Sequence, residues 1–241
     1  MDPIAVAAAS AMRTRIQALD LLANNLSNSA TAGFKADHEF SDIFKGVNQD
    51  SAADDTQLPK ADKRWIDFTQ GSMQSTGAAS DLAISGKGFF VVDGKSGPLY
   101  TRNGAFTISP SGQLVTSDGY PLRSSNGTIQ LRPGGQFDVG PDGVVSQDGI
   151  PSGKVAVVDF ANPAVLEKQG NTYYKNTDVK AIPVDAGAQI LQGKIELSNV
   201  SSADSAVRIV NVMRHFEALQ KAVAIGSEMS RKAIEEVAKV S

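Results

Sequence analysis

Residues 3–27 read PIAVAAASAMRTRIQALDLLANNLS, and apolar side chains recur there at alternating spacings of four and three: Ala5, Ala9, Met12, Ile16, Leu19, Ala23 and Leu26. This is the spacing of an a/d seam. The same rhythm returns at the other end in Ile209, Val212, Phe216, Leu219 and Val223, and continues more weakly through Gly226, Ser230, Ala233, Val237 and Val240. The middle of the chain matches neither end. The pattern predicts a mixed α and β fold: an all-β central domain, sandwich- or barrel-like, with long N- and C-terminal α-helices that pair as a coiled coil. The expected segments are an N-terminal assembly helix (1–34), an extended, variable linker (35–80), the central β domain (81–200) and a C-terminal assembly helix (201–241).

Asp2 suits the cap of the first helix and Pro3 its first turn. At 1.5 Å per residue this helix is roughly 35 Å long. Its Ala-rich stripe permits close backbone approach but buries little area, so it needs a partner to be stable. Asn24, Asn25, Ser27 and Asn28 compete with the helix through local side-chain bonds and mark its end. Gly33 marks a turning position. The second helix, from about residue 203, is roughly 54 Å long if continuous. Asp204 lies in its cap region, and Gly226 weakens its middle by about 1 kcal/mol relative to alanine. Periodicity alone leaves two arrangements open. The helices pack only on each other within one chain, or the C-terminal stripe, wider than one Ala-rich helix covers, also meets other subunits.

Between the helices, Phe40, Ile43 and Phe44 suggest a short amphipathic turn, and the polar stretch Asp50 to Lys63 reads as a loop or a segment ordered by its neighbours. From residue 81 onward, strand-like runs such as Leu82-Ala83-Ile84, Phe89-Phe90-Val91-Val92 and Leu99-Tyr100-Thr101 are separated by turn signals. Among these are Asp93-Gly94, Asn103-Gly104, Asp142-Gly143 and Asp148-Gly149. Short strands so punctuated predict antiparallel β-structure, without the alternating helices of a parallel α/β sheet.

The 241-residue chain has a net charge of −3, so no basic excess exists to neutralise phosphates, and nucleic acid is not an expected partner. It contains no cysteine, which removes disulfides, thiolate metal sites and cysteine nucleophiles. No basic n-region precedes an apolar run at the start, so any export is expected by a route that cleaves no signal. No apolar run is long enough to span a bilayer.

No catalytic, cofactor-binding or metal-binding residues emerge. His38 and His215 lie far apart in sequence, and His215 reads as a helix-surface residue. Ser85-Gly86-Lys87-Gly88 lacks the spacing and the following Ser/Thr of a phosphate loop and reads as a strand-entry turn. Asp138, Asp142 and Asp148 lack the spacing of a calcium loop. A cleft enzyme using Asp138 or Asp159 has no support in the spacing.

Several longer motifs then bring a family into view. Asn24-Asn25-Leu26-Ser27-Asn28 followed by Thr31-Ala32-Gly33-Phe34-Lys35 resembles the N-terminal signature of the flagellar rod and hook proteins. Asp81-Leu82-Ala83-Ile84-Ser85-Gly86-Lys87-Gly88-Phe89-Phe90 with Tyr100-Thr101-Arg102-Asn103-Gly104-Ala105-Phe106 is similar to its central motif. Glu196-Leu197-Ser198-Asn199-Val200 and Arg214-His215-Phe216-Glu217 resemble its C-terminal signature. The opening Met1-Asp2-Pro3-Ile4 and the chain length resemble the proximal-rod member most. Ser201-Ser202-Ala203-Asp204-Ser205 and the long run past Met229 depart from the usual pattern.

The resemblance implies a structural subunit of the bacterial flagellar basal-body rod, not an enzyme, with no cofactor and no small-molecule substrate. Its partners would be copies of itself, other rod proteins and the flagellar type III export apparatus, and its place the periplasmic rod. The assembly interface would comprise Ala5, Ala9, Met12, Ile16, Leu19, Ala23, Leu26, Ile209, Val212, Phe216, Leu219 and Val223. Asn24, Asn25, Asn28, Gly33 and Phe34 would form the helix-end motif. The alternatives are a distal-rod or hook-type axial protein, or a β-rich adhesin-like interaction module whose helices merely close the domain.

Overall fold

A computed structural model describes residues 3–40, 63–125, 127–132 and 134–240. The chain divides into two compact units. One comprises Met1–Ser27, Asp37–Trp65 and Ser201–Ser241, the other Asn28–Ala36 and Ile66–Val200. Asp2, Ile43, Phe44 and all of Asp50–Lys63 except Lys63 lie outside the described residues, and with them the expected first cap and amphipathic turn.

In the helical unit, α1 spans Pro3–Ser27 and α2 spans Ser202–Val240, and the two are in contact. Ser201 caps α2: its Oγ accepts from Asp204 N–H at 3.3 Å, and its carbonyl accepts the first helical bond from Ser205 at 3.0 Å. Asp204, expected in the cap region, sits in the first turn and pairs with Arg208 at 2.7 Å. The Glu228–Lys232 pair at 3.1 Å has the same acid-first i,i+4 order, which favours a helix. α2 runs through Gly226 without a break. The strands Asp37–Phe40 and Lys63–Ile66 pair with each other, and the His38 and Trp65 rings stack at 4.6 Å.

The β unit is built on a six-stranded antiparallel sheet. Its order is Leu166–Lys168, Tyr173–Asn176, Gly97–Thr101, Phe89–Gly94, Val157–Asp159 and Val184–Asp185. The unbroken apolar run Phe89-Phe90-Val91-Val92 suits a strand covered on both faces. Phe90 and Val92 enter one core cluster with Leu82, Phe106 and Leu114, while Phe89 and Val91 enter a second with Tyr100, Phe160 and Tyr174. Alternation along one strand thus serves two cores.

Smaller ribbons surround this sheet. Leu82–Ser85 pairs with Gln189–Gln192, and Met73–Ser75 pairs with Lys194–Glu196, joining early and late parts of the unit. Phe137–Val139, Val144–Gln147 and Ile150–Lys154 form a three-stranded meander. Its second turn is Asp148-Gly149, with φ of 55° and 79°, the double positive φ of a type I′ hairpin. The turn expected at Asp93-Gly94 falls two residues later, because Gly94 pairs with Gly97 as the last rung of the ladder.

Candidate functional site

The expected helical seam is placed within the helical unit. On α2, Ile209, Val212, Phe216, Leu219, Val223 and Gly226 are half-buried, while their immediate neighbours along the chain are exposed. On α1, Met12, Leu19 and Leu26 are half-buried, whereas Ala9, Ile16 and Ala23 are exposed, Ile16 at 47%. Ala8, Ala11, Ala18 and Leu22 share the half-buried stripe instead. Ala9, Ile16 and Ala23 are seven residues apart and share one heptad position, exposed along the whole helix, so the covered face of α1 is centred on the other seam position and turned toward Ala11, Ala18 and Leu22. The side chain of Ala5 lies outside the described residues.

α2 also exposes two groups of apolar side chains on the side away from this seam, Val207, Val210 and Met213 early and Ile225 and Met229 late, with Glu217 and Lys221 between them. A helix apolar on two sides has a face left to bury.

The helix-end motif is divided between the two units. In the helical unit, Asn25 is buried and pairs twice with the backbone of Asp37: its Oδ1 accepts from Asp37 N–H at 3.0 Å, and its Nδ2 donates to Asp37 C=O at 2.7 Å. Its amide therefore serves the returning strand and not the local side-chain bonds expected at its own helix end. Asn24 is exposed. In the β unit, Asn28 Oδ1 accepts from Thr31 Oγ1 at 3.2 Å and from Asn171 Nδ2 at 3.1 Å. Phe34 is fully buried, with the Lys168 ammonium 4.0 Å from its ring centroid. Gly33 takes φ of 69°, and a Cβ there would lie 2.2 Å from Asn103 N. Only glycine fits that approach.

Gly33 and Phe34 lead to a group of charged side chains for which sequence reading found no role. Lys35, Arg102 and Glu196 come together inside the β unit, each 3% exposed or less. Lys35 Nζ lies 2.5 Å from Glu196 Oε1 and donates to Thr69 C=O at 2.6 Å. Arg102 Nη1 donates to Glu196 Oε2 at 3.1 Å, and its Nη2 donates to Gly86 C=O at 2.8 Å. Glu196 Oε1 also accepts from Gly71 N–H at 2.9 Å, and the Glu196 carbonyl accepts from Gly33 N–H at 2.8 Å. Burial holds the Lys35 ammonium below its ordinary pKa, with Glu196 opposing that shift and Arg102 adding to it.

Asn199 closes the same corner. Its Oδ1 accepts from Ala36 N–H at 2.8 Å, and its Nδ2 donates to Asp67 C=O at 2.8 Å. Every member lies in one of the quoted motifs or in the linker between them, yet Lys35 and Glu196 are 161 positions apart, and Arg102 and Glu196 are 94 apart. Single-sequence spacing has no signal for a pairing at that range. The cluster offers neither a nucleophile beside a base nor an open cleft. Its chemistry is that of a buried fastening. Among the described residues, no group of three or more His, Cys, Asp and Glu could hold a metal ion, and no helix is long and apolar enough to cross a membrane.

Three family profiles match the chain. Residues 7–35 match "Flagella basal body rod protein", residues 83–147 match "Flagellar hook protein FlgE/F/G D1 domain", and residues 191–236 match "Flagellar basal body rod FlgEFG protein C-terminal". Lys35, Arg102 and Glu196 fall one in each. The flagellar basal-body rod protein FlgF of Caulobacter vibrioides is 35% identical over 249 residues, covering 100% of both chains. FlgG of Bacillus subtilis is 31% identical, over 93% of this chain and 95% of its own. FlgF of Rhizobium meliloti is 32% identical over 83% of each.

Proposed function

The chain belongs to the flagellar basal-body rod protein family, and from that premise we propose that it is a proximal-rod subunit without catalytic activity that assembles through its terminal helices. It is a structural protein of the basal body, in a family whose members assemble with themselves and with other rod proteins. The finer reading follows from the helices. α1 and α2 pair in coiled-coil fashion along Met12, Leu19, Leu26, Ile209, Val212, Phe216, Leu219 and Val223, and a neighbouring subunit covers what the pair leaves open. The β unit, read as sandwich- or barrel-like, forms an outer layer. The identity to FlgF across the full chain supports the proximal-rod member.

The observation that carries this reading is the half-buried seam of α2 together with the apolar side chains it leaves exposed on its other side. Its seam is half-buried within the chain, while Val207, Val210, Met213, Ile225 and Met229 remain exposed. Covering them by heterologous, head-to-tail contacts builds a helical tube and not a closed dimer. Ordering helices at that moment offsets part of the gain, so incorporation is favoured where preformed neighbours supply apolar surface and disfavoured in free solution. The route to the periplasm is the flagellar type III apparatus.

Leu19→Asp and Phe216→Asp are the direct test, expressed in a strain lacking the native protein. The expected result is no rod incorporation and no motility, with the β unit still folded by near-UV circular dichroism. Normal incorporation of both would overturn the seam assignment. Motility restored only in a strain lacking a distal-rod or hook subunit would overturn the proximal one.

A further inference from the structure

We infer that Lys35, Arg102 and Glu196 form a clasp that makes the chain competent to polymerise only once its early and late segments have both docked on the β unit. The inference rests on the rod reading above for the word polymerise, and on geometry for the rest.

The trio is buried and holds two cations against one anion. Lys35 belongs to the segment Asn28–Ala36, which follows α1 in the chain. Glu196 belongs to the strand Lys194–Glu196, shortly before α2. Without Glu196 in place, docking the early segment would set the Lys35 ammonium beside the Arg102 guanidinium in a dry site. Removing one partner of a buried pair is far more costly than never burying it. Asp67 adds a further attraction for Lys35, too weak to replace an anion at 2.5 Å. Lys168, whose ammonium donates to Lys35 C=O at 3.0 Å, adds positive charge to the same segment.

The early segment therefore docks together with the late one and not before it. The backbone repeats the coupling, since Gly33 N–H donates to Glu196 C=O and Ala36 N–H to the Asn199 side chain. Closure fixes, within the β unit, the points from which the chain runs out to both terminal helices. A chain emerging N-terminus first cannot close the clasp until residue 196 has emerged.

The test is Glu196→Gln in the full-length chain, an isosteric change that deletes the anion. Amide hydrogen exchange of the monomer and rod incorporation in cells are read side by side. We expect the Gly33 and Gly71 amides to exchange at least tenfold faster, amides of Phe89–Gly94 to be unchanged, and incorporation to be lost. Unchanged protection at Gly33 and Gly71 overturns the clasp; lost protection with normal incorporation overturns its control of assembly.

If the single variant loosens the whole unit, Lys35→Met/Glu196→Gln decides. Removing one cation with the anion restores protection if charge balance closes the clasp, and failure to restore it overturns the inference. Exchange in the monomer is independent of what the chain assembles into. Failure of the rod reading would therefore appear only in the incorporation arm.

Discussion

The Lys35 ammonium lies 2.5 Å from Glu196 Oε1 with both side chains fully buried, across 161 positions of sequence. Thr69 C=O, Gly71 N–H and Arg102 complete the polar shell of the pair. Such a pair adds little net stability over a well-packed apolar substitute, yet losing one partner is severe. Lys35→Met leaves Glu196 paired with Arg102, so it should lower the stability of the β unit by about 2 kcal/mol through lost charge-assisted hydrogen bonds and not through an unpaired charge. Urea unfolding followed by tyrosine circular dichroism measures this, and a loss under about 1 kcal/mol would mean that the site is wetter than its geometry indicates.

Gly104 is held by close approach and not by a special φ. A Cβ there would lie 1.5 Å from Leu82 C=O and 3.2 Å from the Phe90 ring. Gly119 has a positive φ of 80° with open space around it. Gly104→Ala should therefore cost about 3 kcal/mol through overpacking, and Gly119→Ala about 1 kcal/mol through backbone strain alone. Thermal unfolding of the two variants side by side gives the order, and equal losses would contradict it.

Tyr173 buries its ring and donates from its hydroxyl to Asp118 Oδ2 at 2.6 Å. Desolvation first, and this bond to Asp118 second, push its pKa up to about 12. The folded state thus keeps the phenolic proton longer than the unfolded chain does. The stabilising contribution is complete below pH 10 and is lost as pH rises toward 12. Unfolding free energy should fall across that window by an amount on the order of 2 kcal/mol, and Tyr173→Phe should flatten this fall. A profile identical to the parent's would remove Tyr173 as its source.

Phe90 and Val179 contrast burial with exposure. Phe90 is fully buried against Phe106, their ring centroids 5.3 Å apart, while Val179 is 97% exposed. Phe90→Ala should cost about 3–5 kcal/mol, and Val179→Ala should stay within about 0.5 kcal/mol of zero. Denaturant midpoints at constant m-value check both.

Ile225 is exposed on α2, one turn from the exposed Met229. Ile225→Asp should leave monomer stability within about 0.5 kcal/mol of the parent, because its side chain is exposed among the described residues, while lowering incorporation into rods. Full incorporation would mean that this side of α2 faces no neighbour.

Much of the architecture was legible because its signals are local. The seam spacing of Ile209, Val212, Phe216, Leu219 and Val223 reappears as the half-buried stripe of α2. Asp148-Gly149 forms the hairpin that its residue types favour, and Phe89-Phe90-Val91-Val92 reads correctly as a strand. Other features depend on a distant partner. Asn25 binds Asp37 instead of its own helix. Leu166–Lys168 and Tyr173–Asn176 lie within the expected β domain and pair with each other, and Tyr173–Asn176 also pairs with Gly97–Thr101, a long-range register that local spacing does not encode.

By itself, the sequence determined the two helices, the β character between them and the family, since periodicity, turn chemistry and contiguous motifs are properties of neighbours along the chain. The tertiary structure alone decided why the motifs contain a lysine, an arginine and a glutamate. An ion pair draws its energy from separation in space, and nothing in a linear spacing of 161 residues encodes a contact of 2.5 Å.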